Sequence, residues 1–127
     1  MPQVKIHMSQ ETKTNELLLA REIREVLVKV LGIKDNIGQV MIYKTPIEFR
    51  STHESRDINF VFVEITMYPG RSREIKKILL EQICLLIKKH TNVDLSDINC
   101  CIMEIAPENY YGGVSHNYME ELKNNIQ

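Results

Sequence analysis

Residues 60–90 read FVFVEITMYPGRSREIKKILLEQICLLIKKH, and this stretch decides the fold. It opens on Phe60, Val61, Phe62, Val63 and Ile65, a β-branched and aromatic run of strand length that ends at the turn pair Pro69-Gly70. Ser72 then stands where a helix needs its N-cap, and Glu74 sets a negative charge in the first turn against the helix dipole. Ile75, Ile78, Leu79, Gln82, Ile83, Leu86 and Ile87 recur at helical spacing as one broad, mainly apolar stripe. Lys88, Lys89 and His90 close the last turn, where cations are favoured. The stretch therefore predicts a strand feeding a long helix through Gly70-Arg71-Ser72. Backbone N–H groups, the positive end of the helix and a guanidinium converge there, and together they hold an anion.

At 127 residues the chain has room for one domain around one sizeable core. Its 43% hydrophobic and 26% charged residues are those of an ordinary globular protein. A net charge of −1 leaves no basic field for nucleic acid. No apolar run reaches the ~20 residues of a membrane span. The opening MPQVKIHMSQE lacks the pattern of a signal peptide, so a cytoplasmic protein is expected. Three cysteines, an odd count, do not suggest a disulfide framework. None has metal-ligand spacing, and buried, inert positions are expected for Cys84, Cys100 and Cys101, the last two on opposite faces of a strand.

Before that stretch the same pattern has already occurred once. Val4, Ile6 and Met8 alternate with Gln3, Lys5 and His7 as a half-buried strand. Thr12 and Thr14 offer caps, and Leu19, Ile23, Val26, Leu27 and Val30 form a helical stripe that stops near Gly32. Residues 39–43 (QVMIY) then read as a second strand. Val4-Lys5-Ile6-His7-Met8 matches Val63-Glu64-Ile65-Thr66-Met67 at an offset of 59. Leu19, Ile23, Leu27 and Ile33 match Leu79, Ile83, Ile87 and Val93 at an offset of 60, as residues 39–42 match 99–102. A self-match with its core positions in step predicts two βαβ units. Strands within a unit are then parallel. The fold class is α/β, a four-stranded mixed sheet with both helices on one face. Apolar runs at 60–63 and 100–105 leave the other face in need of a cover, and self-association supplies it.

Unit one spans 2–46 and unit two 60–107 of a single domain, 1–127. Between the units lies a charged insertion, 44–59 (KTPIEFRSTHESRDIN), expected as a solvated loop apart from Arg56, just before a strand. The tail, 108–127, continues a segment that reads APENYYGGV at 106–114 and ends in a short surface helix or a frayed end.

Met1-Pro2 followed at once by a strand, the βαβ duplication, VFVEITMYPGRSREIKK and PENYYGGV together resemble the tautomerase superfamily, whose members use an amino-terminal proline as catalyst. Length and the long insertion look most like its malonate-semialdehyde-decarboxylase-like branch, which holds decarboxylases, relatives of dehalogenating hydratases and tautomerase-like proteins. The resemblance implies a macrophage migration inhibitory factor-like fold and a homotrimer with active sites near subunit interfaces. It implies neither metal nor organic cofactor, and a small carboxylate substrate.

Chemistry supports a role for Pro2 alongside the resemblance. With Met1 removed, Pro2 is a secondary amine at the start of a buried strand. A model α-amino group titrates near ~8, and burial and the cation of Arg71 lower it toward the operating pH. With Met1 retained, that nitrogen is an amide without basicity. Arg71 is the expected carboxylate anchor. Arg73 either reaches the same anion or is solvated. Arg56 either binds a second carboxylate or pairs with Asp57 or Glu54. Tyr110 and Tyr111 supply an aromatic wall and a hydroxyl donor or pack the tail in the interface, and Asn109 is a further candidate of that kind. The branch's decarboxylases flank a proline in this turn with two arginines, where Met67-Tyr68-Pro69-Gly70 stands here, so only Arg71 carries over. They also place an aspartate before the second strand, a position for which Asp35 and Asn36 compete. The expected activity is keto–enol tautomerisation of a small 2-keto or enol acid. The alternatives are a decarboxylase or hydratase, a non-catalytic trimeric binding protein, and a ferredoxin-like regulatory domain with a different strand order.

Overall fold

The two units fold with their first strands side by side in the middle of one sheet. The structure, a computed structural model, describes residues 1–112. In chain order the elements are β1 (Gln3–Ser9), α1 (Glu16–Leu31), β2 (Gln39–Thr45), β3 (Val61–Met67), α2 (Arg73–Thr91) and β4 (Ile98–Glu104). Short 3₁₀ turns lie at Ile47–Phe49, Leu95–Asp97 and Pro107–Asn109. The sheet order is β2-β1-β3-β4, with β1 parallel to β2, β3 parallel to β4, and β1 antiparallel to β3. This is the expected mixed sheet. The expected surface helix at the end of the tail lies outside the described residues.

Local chemistry sets the helix limits. Ser72 caps α2 as predicted, its Oγ accepting from the Ile75 N–H at 3.2 Å. For α1 the cap is Asn15, whose Oδ1 accepts from Leu18 N–H at 3.1 Å, not Thr12 or Thr14. Thr12 is buried and its N–H is spent on the Ser9 carbonyl at 3.1 Å, in the turn that leaves β1. Gly32 ends α1 and Asn92 ends α2, both in the left-handed conformation.

The core is the helix-facing side of the sheet. Val4, Ile6 and Met8 of β1 and Val61, Val63, Ile65 and Met67 of β3 are buried against Leu19, Ile23 and Leu27 of α1 and Leu79, Ile83 and Ile87 of α2. His90 of α2 meets Glu22 of α1 at 2.5 Å and ties the helices along their length. Cys100 packs against this core and faces Cys84, while Cys101, paired in register with Glu64, lies on the opposite face. The hydrogen bond between the two thiols and burial push Cys100 well above the ordinary thiol range, which keeps it protonated, and all three cysteines are half-buried rather than buried as expected.

Two expectations need correction. The open face is mixed rather than apolar on both strands. His7 pairs with Glu64 at 3.2 Å and stacks 5.1 Å from Tyr43 and 6.2 Å from Phe62, with Met41 and Met103 exposed beside them. The insertion is solvated at Glu48, His53, Glu54 and Asp57 as expected, but Arg50 is an exception. Arg50 donates to the carbonyls of Ile58 at 2.8 Å and Phe60 at 2.6 Å and lies 4.2 Å above the Phe60 ring. Among the described residues no helix is long and apolar enough to cross a membrane.

Two isoleucines test this core. Ile65 is fully buried between the helices and the sheet, whereas Ile78, on the same helical stripe as Leu79, is 44% exposed. Ile65→Ala is expected to cost about 2–5 kcal/mol in urea unfolding and Ile78→Ala less than ~1 kcal/mol. Equal losses would contradict the burial described.

Candidate active site

Antiparallel pairing of β1 with β3 sets Gln3 opposite Thr66, so the first residues of the chain lie beside the end of β3 and the turn into α2. A cavity of about 460 Å³ opens at that corner. Met1 and Pro2 line it from one side, and Tyr68 and Arg71 from the turn. Tyr110 and Gly112 close the tail side, and residues 36–39 come from the loop before β2. Leu31, Ile33, Ile37 and Met67 make an apolar floor.

Pro2 is buried. Its carbonyl accepts from Gln39 N–H at 3.2 Å, which begins the parallel pairing of β1 with β2. Gly38 lies against the pyrrolidine ring. A Cβ there would stand 3.7 Å from Pro2 Cδ, and its φ of +97° disfavours any side chain. The terminal amine of Met1 occupies the same cavity, and burial holds it below the ordinary α-amino range.

Tyr110 is fixed from three sides. Gln3 Nε2 donates to its hydroxyl at 3.3 Å, and Tyr68 packs edge-on to its ring at 5.9 Å between centroids. Gly112 passes under the ring, where a Cβ would approach Cε1 to 3.0 Å. The glycine after the tyrosine pair is therefore a requirement of close packing. Arg71 is half-buried and is the one charged side chain in the lining among the described residues.

Of the seven candidates, Pro2, Arg71 and Tyr110 meet here, and Arg73, Asn109, Arg56 and Tyr111 do not line this cavity, Tyr111 being 66% exposed. Arg73 is the exposed first residue of α2. Asn109 is exposed on the 3₁₀ turn before Tyr110. Arg56 donates to the Ser96 carbonyl at 3.4 Å and Asn99 Oδ1 at 3.3 Å, at the start of β4, and pairs with neither Asp57 nor Glu54. Asn36 lines the cavity and Asp35 does not. Gln3, Gly38 and Tyr68 were not singled out from the sequence. Gly38 follows only from the β1–β2 pairing that sets Gln39 beside Pro2, and Gln3 only from its contact with the tail, though Tyr68 is the one aromatic in the Met67–Arg71 turn. Among the described residues no group of three or more His, Cys, Asp or Glu side chains converges as a metal site.

Residues 38–111 match the family described as tautomerase enzyme. The chain belongs to the tautomerase family. The fold agrees. A macrophage migration inhibitory factor-like protein from Entamoeba histolytica superposes with a TM-score of 0.74 at 15% identity, over 87% of this tautomerase and 94% of that chain. A fused 4-OT, solved as a symmetric trimer, gives 0.79 at 12% identity over 88% and 92%. The FG41 malonate semialdehyde decarboxylase, inhibited by 3-bromopropiolate, gives 0.74 at 18% identity over 96% and 95%. No curated protein sequence matches the chain. The strand order seen here is therefore that of the tautomerase fold, and the ferredoxin-like alternative is set aside.

Burial of the terminal amine makes a prediction with a definite sign. In the folded tautomerase it titrates below ~8, and in the urea-unfolded chain near that value. Between the two values the unfolded chain binds more protons, so this group's contribution to stability falls as pH drops through that window. NMR titration of the ¹⁵N-labelled terminus checks it; a folded value at or above the unfolded one would contradict the site geometry.

Proposed function

We propose that the chain is a cofactor-independent tautomerase of small 2-keto or enol carboxylic acids, with Pro2, freed by removal of Met1, as general base and acid. The observation that carries this reading is the shared cavity of Pro2, Arg71 and Tyr110. Arg71 pairs with the substrate carboxylate, its charge supplemented by the N-terminal end of α2. The Pro2 nitrogen takes the proton of the C2 hydroxyl and, as the ammonium, returns a proton to C3. One proton leaves the substrate and one is restored, so the C2=C3 enol becomes the 2-keto acid. Tyr110, its oxygen already engaged by Gln3, donates to the C2 oxygen as negative charge develops there.

Two features favour tautomerisation over decarboxylation. The lining has Asn36 where the branch's decarboxylases are expected to place an aspartate, and one arginine where they are expected to place two. Homotrimer formation, in keeping with the trimeric 4-OT neighbours, would cover the open sheet face with its Phe62, Tyr43 and His7–Glu64 cluster. Any contact of Arg56, Arg73 or Asn109 with substrate would then be made in the pocket of a neighbouring subunit.

Kinetics on the Met1-free protein test the reading. Pro2→Ala is expected to lower kcat on phenylenolpyruvate by at least ~100-fold. Arg71→Ala should lower kcat/KM by about 10- to 100-fold, chiefly through KM. With one guanidinium in the lining, a second carboxylate has no partner. The monocarboxylate phenylenolpyruvate should therefore exceed the dicarboxylate 2-hydroxymuconate in kcat/KM by ~10-fold or more. Unchanged turnover in Pro2→Ala would dispose of the mechanism.

A further inference from the structure

Arg24 lies on α1, outside the cavity, with no carboxylate partner among the described residues. Its guanidinium is spent on backbone instead. Nε donates to the Gly38 carbonyl at 3.0 Å, and an NH2 proton goes to the Asp35 carbonyl. Both acceptors belong to the loop between α1 and β2, the loop that covers Pro2. A Cβ at Gly38 would stand 3.7 Å from Pro2 Cδ, Gln39 N–H binds the Pro2 carbonyl at 3.2 Å, and Asn36 and Ile37 line the cavity. The loop is also held by the Ile37 N–H to the Lys34 carbonyl, 3.1 Å, and by the Gln39 bond. A fixed, planar fork reaching two carbonyls three residues apart sets both the height and the tilt of such a loop.

We propose that Arg24 is a positioning residue for the reaction, acting through the 35–38 loop to keep water away from the Pro2 nitrogen. The proposal rests on the reading of Pro2 as the base. It makes a particular claim about pH. Among the described residues, the titratable or charged groups that line the cavity with Pro2 are Arg71 and the phenols of Tyr68 and Tyr110, and no carboxylate, histidine or lysine of these residues lines it. With no anion there to stabilise the ammonium, desolvation and the Arg71 cation both act to favour the free base. Releasing the loop admits water and weakens the first of these. The nitrogen then titrates higher, and less of it is free base at pH 7.

The test uses the Met1-free protein with Arg24→Met, which keeps the alkyl stem on the helix but removes every donor, and Arg24→Lys, which can serve one carbonyl. In wild type, kcat/KM should rise along an acidic limb set by the Pro2 nitrogen. In Arg24→Met that limb should move upward by about one pH unit, giving a loss of up to ~10-fold at pH 7 that is recovered near pH 9. Arg24→Lys should fall between the two. ¹⁵N titration of Pro2 in the same proteins should show the same displacement without reference to turnover. A purely structural role would lower Tm and leave both profiles in place, and that result, in either folded variant, overturns the proposal. If Pro2→Ala itself retains full turnover, the reading of the site fails instead, and the two failures are thereby distinguished.

Discussion

The antiparallel pairing of β1 with β3 is the constraint from which the rest of the site follows. It brings together the two first strands of a duplicated βαβ pattern and puts Gln3 opposite Thr66 and Val4 opposite Ile65. A slip of one residue would turn Val4, Ile6 and Met8 out of the core and Lys5 and His7 into it, so the buried face holds the register firmly. That register delivers the start of the chain to the turn carrying Arg71, residues far apart in sequence. Hydrophobic burial thus does the positioning, and a polar corner results from an apolar requirement.

Duplication would by itself build two such corners, and the structure shows how they diverged. A second cavity of about 380 Å³ lies at the matching place in unit two, where Thr91, Val93 and Asp97 stand for Leu31, Ile33 and Ile37. Thr12 stands there for Arg71, and the position of Pro2 is taken by Val61, whose nitrogen is an ordinary peptide link. The lining carries Glu11, Asp57, Asp94 and Asp97 against one lysine, Lys13. A carboxylate suited to the first corner would be repelled at the second. Among the described residues, the corner lined by Met1 and Pro2 carries a guanidinium and the second corner does not, and this breaks the symmetry of the repeat.

How far the sequence disclosed this depends on how local each signal is. Strand and helix periodicities are local, so β3, α2 and the duplicated βαβ pattern were legible from Phe60 to His90 and its echo at Val4 to Ile42. Ser72 was legible as a cap because one good residue stood at the boundary. Asn15 was not, because Thr12 and Thr14 stood near it and only the turn from Ser9 decides between them. The insertion offered several charged side chains, and the brace proved to be Arg50, whose reach to Ile58 and Phe60 depends on a bend no periodicity announces. Pro2 and Arg71 were named through family resemblance and their chemistry. Gln3, Gly38 and Arg24 emerge only once the strands are paired, because their roles are contacts across the sheet and between helix and loop.

The central claim is that one cavity presents a free secondary amine to a carboxylic acid held by Arg71. The most direct test is a crystal structure of the Met1-free protein with a bound 2-keto acid. The account predicts the carboxylate on the Arg71 guanidinium and C3 of the acid within ~3.5 Å of the Pro2 nitrogen. A carboxylate held away from Arg71, or a Pro2 nitrogen that is acylated or out of reach of the bound acid, would contradict it.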